Sequence, residues 1–146
     1  YAAVTSDFSL FTKLNKDSAV VLVNRLQAGT TFGSPFFYQM LSLGGPRSLR
    51  GYNLNRFTGR SLLLHSAEIR LKLFHFTSWL FPGTVGFIAL NDIGRVWMPE
   101  EKSNIWHHGY GGGLYIIPAD VLMLRAVVAR SVEGPQLYVN FIFGIQ

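Results

Sequence analysis

The chain has 146 residues, enough for one domain or a piece of one, and 49% of them are apolar while only 14% are charged, against roughly 25% charged in soluble globular domains. The formal net charge of +5 is spread one residue at a time with no run of five or more Lys or Arg, which makes a poor phosphate-binding face and argues against nucleic acid. The absence of cysteine excludes a disulfide framework and a thiolate metal site, and no apolar run approaches the roughly 20 residues of a membrane-spanning helix.

Taken in chain order, Tyr1 to Asp7 lack the basic start and apolar centre of an export signal. Seven segments then read as strands, near 3–14, 18–30, 60–73, 84–97, 108–117, 121–131 and 137–145, because aromatic and β-branched residues dominate and helix signals are absent. Each is about as long as the roughly 9–11 residues that cross a bilayer when tilted. Without a membrane helix, the remaining spanning structure is a closed barrel, which satisfies every backbone donor and acceptor without water. The expected fold is therefore all-β, an antiparallel transmembrane β-barrel with seven strands visible in residues 1–146. Even strand numbers in single-chain barrels put the whole at eight or more. The extra strand is expected before Tyr1 or in Pro35-Phe36-Phe37-Tyr38-Gln39-Met40.

Alternation supports this reading. In the last segment Leu137, Val139, Phe141, Phe143 and Ile145 share an apolar face, opposite Tyr138, Asn140, Ile142, Gly144 and Gln146. Arg125 sits mid-strand with Met123, Val127 and Ala129, opposite Leu122, Leu124, Ala126 and Val128. Glu68, Arg70 and Lys72 share a face opposite Ala67, Ile69, Leu71 and Leu73. A barrel with a polar lumen has this pattern. The connections at 15–18 and 118–120 are tight, whereas 31–59 and 98–107 are long, which assigns 31–59 to the extracellular side. The 74–83 connection is expected to be a longer inner turn whose aromatics suit an interfacial girdle.

The 31–59 loop is not simply hydrophilic. Gly44-Gly45-Pro46 forces a turn, and Ser48-Leu49-Arg50-Gly51-Tyr52 presents a guanidinium between apolar neighbours, so the loop is expected to fold back into the lumen. A buried arginine keeps its proton and needs carboxylate partners. Of eight acids, Asp17, Glu100, Glu101, Asp120 and Glu133 fall in turns or loops, leaving Asp7, Glu68 and Asp92 in strands. Glu68 and Asp92 lie on the two strands that follow the loop, and are the natural partners.

These stretches, Leu43-Gly44-Gly45 with Leu49-Arg50-Gly51-Tyr52, Ala67-Glu68-Ile69-Arg70, Asn91-Asp92-Ile93-Gly94-Arg95-Val96-Trp97 and Gly109-Tyr110-Gly111-Gly112-Gly113-Leu114, resemble the successive signatures of the BamA-like outer-membrane surface-antigen superfamily. The resemblance covers about residues 40–146 and makes 1–146 the C-terminal portion of one barrel domain. It implies a lumen motif of Gly44, Gly45, Arg50, Gly51 and Tyr52, a salt bridge of Arg50 with Glu68 and Asp92, and a seam strand carrying Leu137, Val139, Phe141 and Phe143. It also implies a place in the bacterial outer membrane, among its lipids, inserting or transporting client polypeptides, alone, as an oligomer or as a subunit of a membrane complex. This chain departs from the family's usual ending, since Phe143 is followed by Gly144-Ile145-Gln146.

Other readings compete. The barrel could be an anchor or scaffold, for example for an upstream hydrolase domain, and a soluble sandwich would show as solubility without detergent. The glycines at 109–113 precede no helix and no Lys-Ser/Thr pair, so they read as bends that admit a close backbone and not as a nucleotide cradle. His107 and His108 are adjacent and in a strand face opposite ways, so they cannot share a metal. No nucleophile elbow is present, and neither an enzyme nor a cofactor is expected.

Overall fold

In the computed structural model, residues 1–17, 19–100 and 104–143 are described. Ser18, Glu101, Gly144, Ile145 and Gln146, placed above in a turn, a loop and the last strand, lie outside them. The strands are Ala2–Lys13 (β1), Val20–Phe32 (β2), Leu41–Leu43 (β3), Phe57–Gly59 (β4), Ser61–Thr77 (β5), Pro82–Trp97 (β6), His107–Pro118 (β7), Leu122–Ser131 (β8) and Gly134–Phe143 (β9). Seven of them form one antiparallel sheet in the order β1-β2-β5-β6-β7-β8-β9, while β3 and β4 make a separate hairpin.

The sheet is open, which corrects the expectation of a closed barrel for these strands: β1 and β9 each have one neighbour. The reason is geometric. In a seven-strand meander the first and last strands run the same way, so they cannot close the ring with an antiparallel ladder. The candidate for an eighth strand within 35–40 is also corrected. Within 35–40 the chain makes a 3-10 turn, Phe37–Gln39, with the Phe36 amide donating to Gln39 Oε1 at 3.0 Å.

The strand ends at Phe32, Ser61, Trp97, His107, Ser131 and Gly134 lie at one end of the sheet, here the loop end, and those at Lys13, Val20, Thr77, Pro82, Pro118 and Leu122 at the other, the turn end. The long turn expected at 74–83 is not there. β5 runs on to Thr77 with a bulge between Lys72 and Phe74, and pairs with β6 down to Pro82, because Phe74 and Phe76 are as suited to a strand as the residues before them. Likewise β9 begins at Gly134, not 137, since Pro135 is tolerated on an edge strand.

The two faces of the sheet differ sharply. The inner face, on which the 33–60 loop packs, buries Leu62, Leu64, Ser66 and Glu68 of β5 and Ile88, Leu90 and Asp92 of β6. On the outer face Phe8, Leu10, Leu114, Leu137, Val139 and Phe141 are each at least half exposed. Two apolar clusters fill the inner side. Ile88, Leu90, Tyr115, Met123, Val127 and Ala129 line β6–β8, and Leu43, Leu49, Tyr52, Leu62 and Leu64 join the loop to β5.

The glycine run of β7 is where backbones come closest. A Cβ on Gly111 would lie 2.0 Å from the Val128 carbonyl oxygen, and one on Gly113 would lie 2.0 Å from that of Ala126. Gly113→Ala therefore forces β7 away from β8, and we predict a loss of about 1–3 kcal/mol, the usual scale of overpacking. A lowered urea midpoint for the folded protein checks this.

Candidate functional site

Between β2 and β5 the chain builds the β3–β4 hairpin and carries its tip, residues 44–56, along the inner face. Gly44 and Gly45 have φ of 118° and 104°, a region costly for any residue with a Cβ, and Gly45 N–H then donates to Leu49 O at 3.2 Å. Leu49 is fully buried and Tyr52 nearly so. The Tyr52 ring meets Phe57 edge-on at 5.0 Å, and Phe57 stacks on His107 at 3.6 Å. These anchors fix where the residue between them must point.

That residue is Arg50, only 6% exposed. Its Nε donates to Asp92 Oδ2 at 2.7 Å, and its Nη2 donates to Asp92 Oδ1 at 2.6 Å, a bidentate fork. Nη1 donates to Glu68 Oε2 at 2.6 Å, Nη2 also reaches Ser66 Oγ at 2.7 Å, and the Arg50 backbone N–H donates to Asp92 Oδ2 at 3.1 Å. Asp92 is completely buried, and Ser66 Oγ donates to its Oδ1 at 2.5 Å. Glu68 is shared further: Arg70 Nε reaches its Oε1 at 2.7 Å and Arg125 Nη1 its Oε2 at 3.2 Å. Burial works against the charge on Arg50, but Asp92 and Glu68 outweigh it and hold the guanidinium pKa above its ordinary value.

The backbone beside Arg50 is held as tightly. Gly51 has φ of 94°, its N–H donates to the Tyr138 hydroxyl at 2.9 Å, and its carbonyl accepts from Ser131 Oγ at 2.6 Å. A Cβ on Gly109 would sit 1.9 Å from the Arg50 carbonyl oxygen, so β7 needs glycine there for the loop to lie against it. At the rim, Arg56 Nε pairs with Glu133 at 2.6 Å and Gln136 Nε2 donates to Asn53 at 2.9 Å.

Arg50, Glu68 and Asp92 thus meet in one network, with Gly44, Gly45, Gly51 and Tyr52 shaping the approach. Leu137, Val139 and Phe143 point away from it, exposed on the outer face of the edge strand, while Tyr138 and Gln136 between them turn inward. Asp7, the remaining strand carboxylate, is taken by Arg25, whose Nε lies 2.9 Å and 3.0 Å from the two carboxylate oxygens. Arg25 Nη1 also donates to the loop carbonyl of Arg47 at 2.6 Å.

Sequence reasoning did not assign Ser66, Arg70, Arg125, Ser131, Tyr138 or Arg25 to the site. Ser66 and Arg70 could have been found from their parity with Glu68, and Arg125 from being a charge among apolar neighbours. Ser131 and Tyr138 carry no such signal, because only the register of β8 and β9 brings them to Gly51.

The donors and acceptors here are matched to one another, so the arrangement is a lock between loop and wall. His107 and His108 do face opposite ways, the first onto Phe57 and the second hydrogen-bonded with Asn91. Among the described residues no group of three or more His, Asp or Glu is placed to hold a metal.

Removing one partner of a buried pair leaves an uncompensated charge, typically at a cost of about 3–5 kcal/mol. We predict that Arg50→Ala lowers unfolding stability on that scale, with Arg50→Lys rescuing little because an ammonium cannot form the fork. Arg25→Ala, at a partly exposed pair, costs less than about 1 kcal/mol. Urea titration of the three variants, with heat-modifiable gel mobility as a second readout, gives the order.

A family match bears on what this lock belongs to: the Omp85 superfamily domain matches residues 1–145. No curated protein and no solved structure matches the chain.

Proposed function

Because the chain belongs to the Omp85 superfamily, we propose that it forms the wall of an outer-membrane β-barrel that assembles or translocates polypeptides, with the 33–60 loop as a fixed luminal brace. The superfamily domain is characteristic of bacterial outer-membrane proteins, and the family works on polypeptides with membrane complexes. The outer face of the sheet is apolar across its middle, as a lipid-facing wall requires, and no helix among the described residues is long and apolar enough to cross a membrane. The inner face becomes the lumen, the loop end the extracellular side and the turn end the periplasmic side, where short turns belong.

The observation that carries the polypeptide-handling part is β9. It is hydrogen-bonded to β8 along Leu122↔Phe143 through Ser131↔Gly134, and its other edge pairs with nothing among the described residues. An unpaired edge templates an incoming strand by main-chain hydrogen bonds. Behind it, Tyr138 ties β9 to the braced loop at Gly51, so the edge is presented from a stiff support.

The experiment is site-specific photocrosslinking from β9 in the membrane-inserted, full-length protein. A crosslinker at Val139 should capture other polypeptides during their assembly, and one at Leu114, in the middle of the sheet, should not. If Val139 yields no polypeptide adducts beyond the Leu114 level, the edge is not a template, and the barrel is an anchor instead.

A further inference from the structure

Charge on the large sheet is sorted by face and by end. The inner face carries Asp7, Arg25, Glu68, Arg70, Asp92 and Arg125, and register places Lys13 and Lys72 there as well. On the outer face, among the described strand residues, the fixed charges are Arg95 and Arg130, with His65 and His108 as the titratable rings. All four are basic, and all lie in the loop-end half. A lipid-facing surface would exclude charge from its apolar span, so charges of one sign at one end mark where it meets headgroups of the opposite sign.

Around Arg130 the surface has a defined shape. Asn91, Tyr110 and Arg130 occupy one register line across β6, β7 and β8, so polar side chains stand about 5 Å apart per strand. The Tyr110 ring lies 5.8 Å from that of His108, which is hydrogen-bonded with Asn91. Arg130 is exposed and has no carboxylate partner among the described residues. Toward the turn end on the same face opens an apolar cavity of about 400 Å³, lined by Val85, Leu114, Ile116, Leu124, Val139 and Phe141, with Ala126 in its wall. Ala126 is four residues from Arg130 along β8, roughly 13 Å in an extended chain.

We infer that this is a lipid site for a phosphorylated glycolipid of the outer leaflet, with an acyl chain in the β6–β9 groove and a phosphate on Arg130. Tyr110 and Asn91 supply hydroxyl and amide groups to the adjoining sugar. A groove without the cation would hold any acyl chain, and a cation without the groove would hold any anion. Together they select an amphiphile with phosphate at one end. The site rests on the membrane reading of the outer face, but not on the polypeptide role.

The test uses the purified full-length protein in detergent, with native mass spectrometry to count bound lipid. Diphosphorylated lipid A should be retained about tenfold more strongly than its dephosphorylated form, the scale of one charge-assisted contact. Arg130→Ala should erase most of that preference, and Arg130→Lys should keep part of it. Ala126→Phe, which fills the groove, should weaken binding of both forms. Lys72→Ala, on the inner face, should change neither. An unchanged preference in Arg130→Ala, or displacement of the lipid by millimolar inorganic phosphate, would overturn the proposal. A protein that stays soluble and folded without detergent would instead remove the membrane reading itself.

Discussion

A guanidinium taken out of water cannot shed its proton, so every N–H it carries must find an acceptor placed by the fold. Arg50 imposes that constraint on this protein. Its fork of Nε and Nη2 fixes Asp92 on β6, Nη2 also reaches Ser66 and Nη1 reaches Glu68 on β5, and its own backbone amide returns to Asp92. The carboxylates are in turn satisfied by Ser66, Arg70 and Arg125. Such a network is costly to assemble from charges in water and more costly to leave half made. This favours a single arrangement of loop and wall.

The rest of the inner face follows from where Arg50 has to lie. A β-ladder links each strand only to its neighbours, whereas the loop tip touches strands far apart in the sheet. It reaches β2 through Arg25, β5 and β6 through the acids, β7 through Gly109, β8 through Ser131 and β9 through Tyr138. The brace therefore couples the centre of the sheet to its edge strand. Tyr138 holds β9 through its side chain alone and leaves the main-chain groups of that strand's outer edge unengaged among the described residues. The outer face is separate in its chemistry, apolar over most of its height and basic only near the loop end.

Much of this was legible in the sequence, for physical reasons. The seven sheet strands show because one face of each is apolar and the other mixed, and a period of two survives even where boundaries blur. Arg50, Glu68 and Asp92 could be named because a charge flanked by Leu49 and Tyr52 asks for acids, and few acids lie in strands. What failed to show depends on contacts between distant strands. Nothing local marks Ser131 or Tyr138 as partners of Gly51, since β8 and β9 enter only through their register. Local punctuation also misled. The Pro82-Gly83 pair read as part of a long turn although it opens β6, and Pro35 to Met40 read as a strand from its aromatics although it coils into a 3-10 turn. Closure of a barrel follows in the sequence from the lack of a spanning helix and from alternation, which separates an apolar face from a mixed one but does not fix how many strands complete a ring.

The Arg50 loop is fixed to the wall and is not a mobile plug. Native-state hydrogen exchange of the Arg50 and Gly51 amides, measured on the protein in lipid, tests it most directly. Arg50 N–H is bonded to Asp92 and Gly51 N–H to Tyr138, so both should exchange as slowly as the central amides of β5 and β6. In Asp92→Asn both should speed up together. Exchange of both amides at the rate of an open surface loop in the unaltered protein would contradict the account.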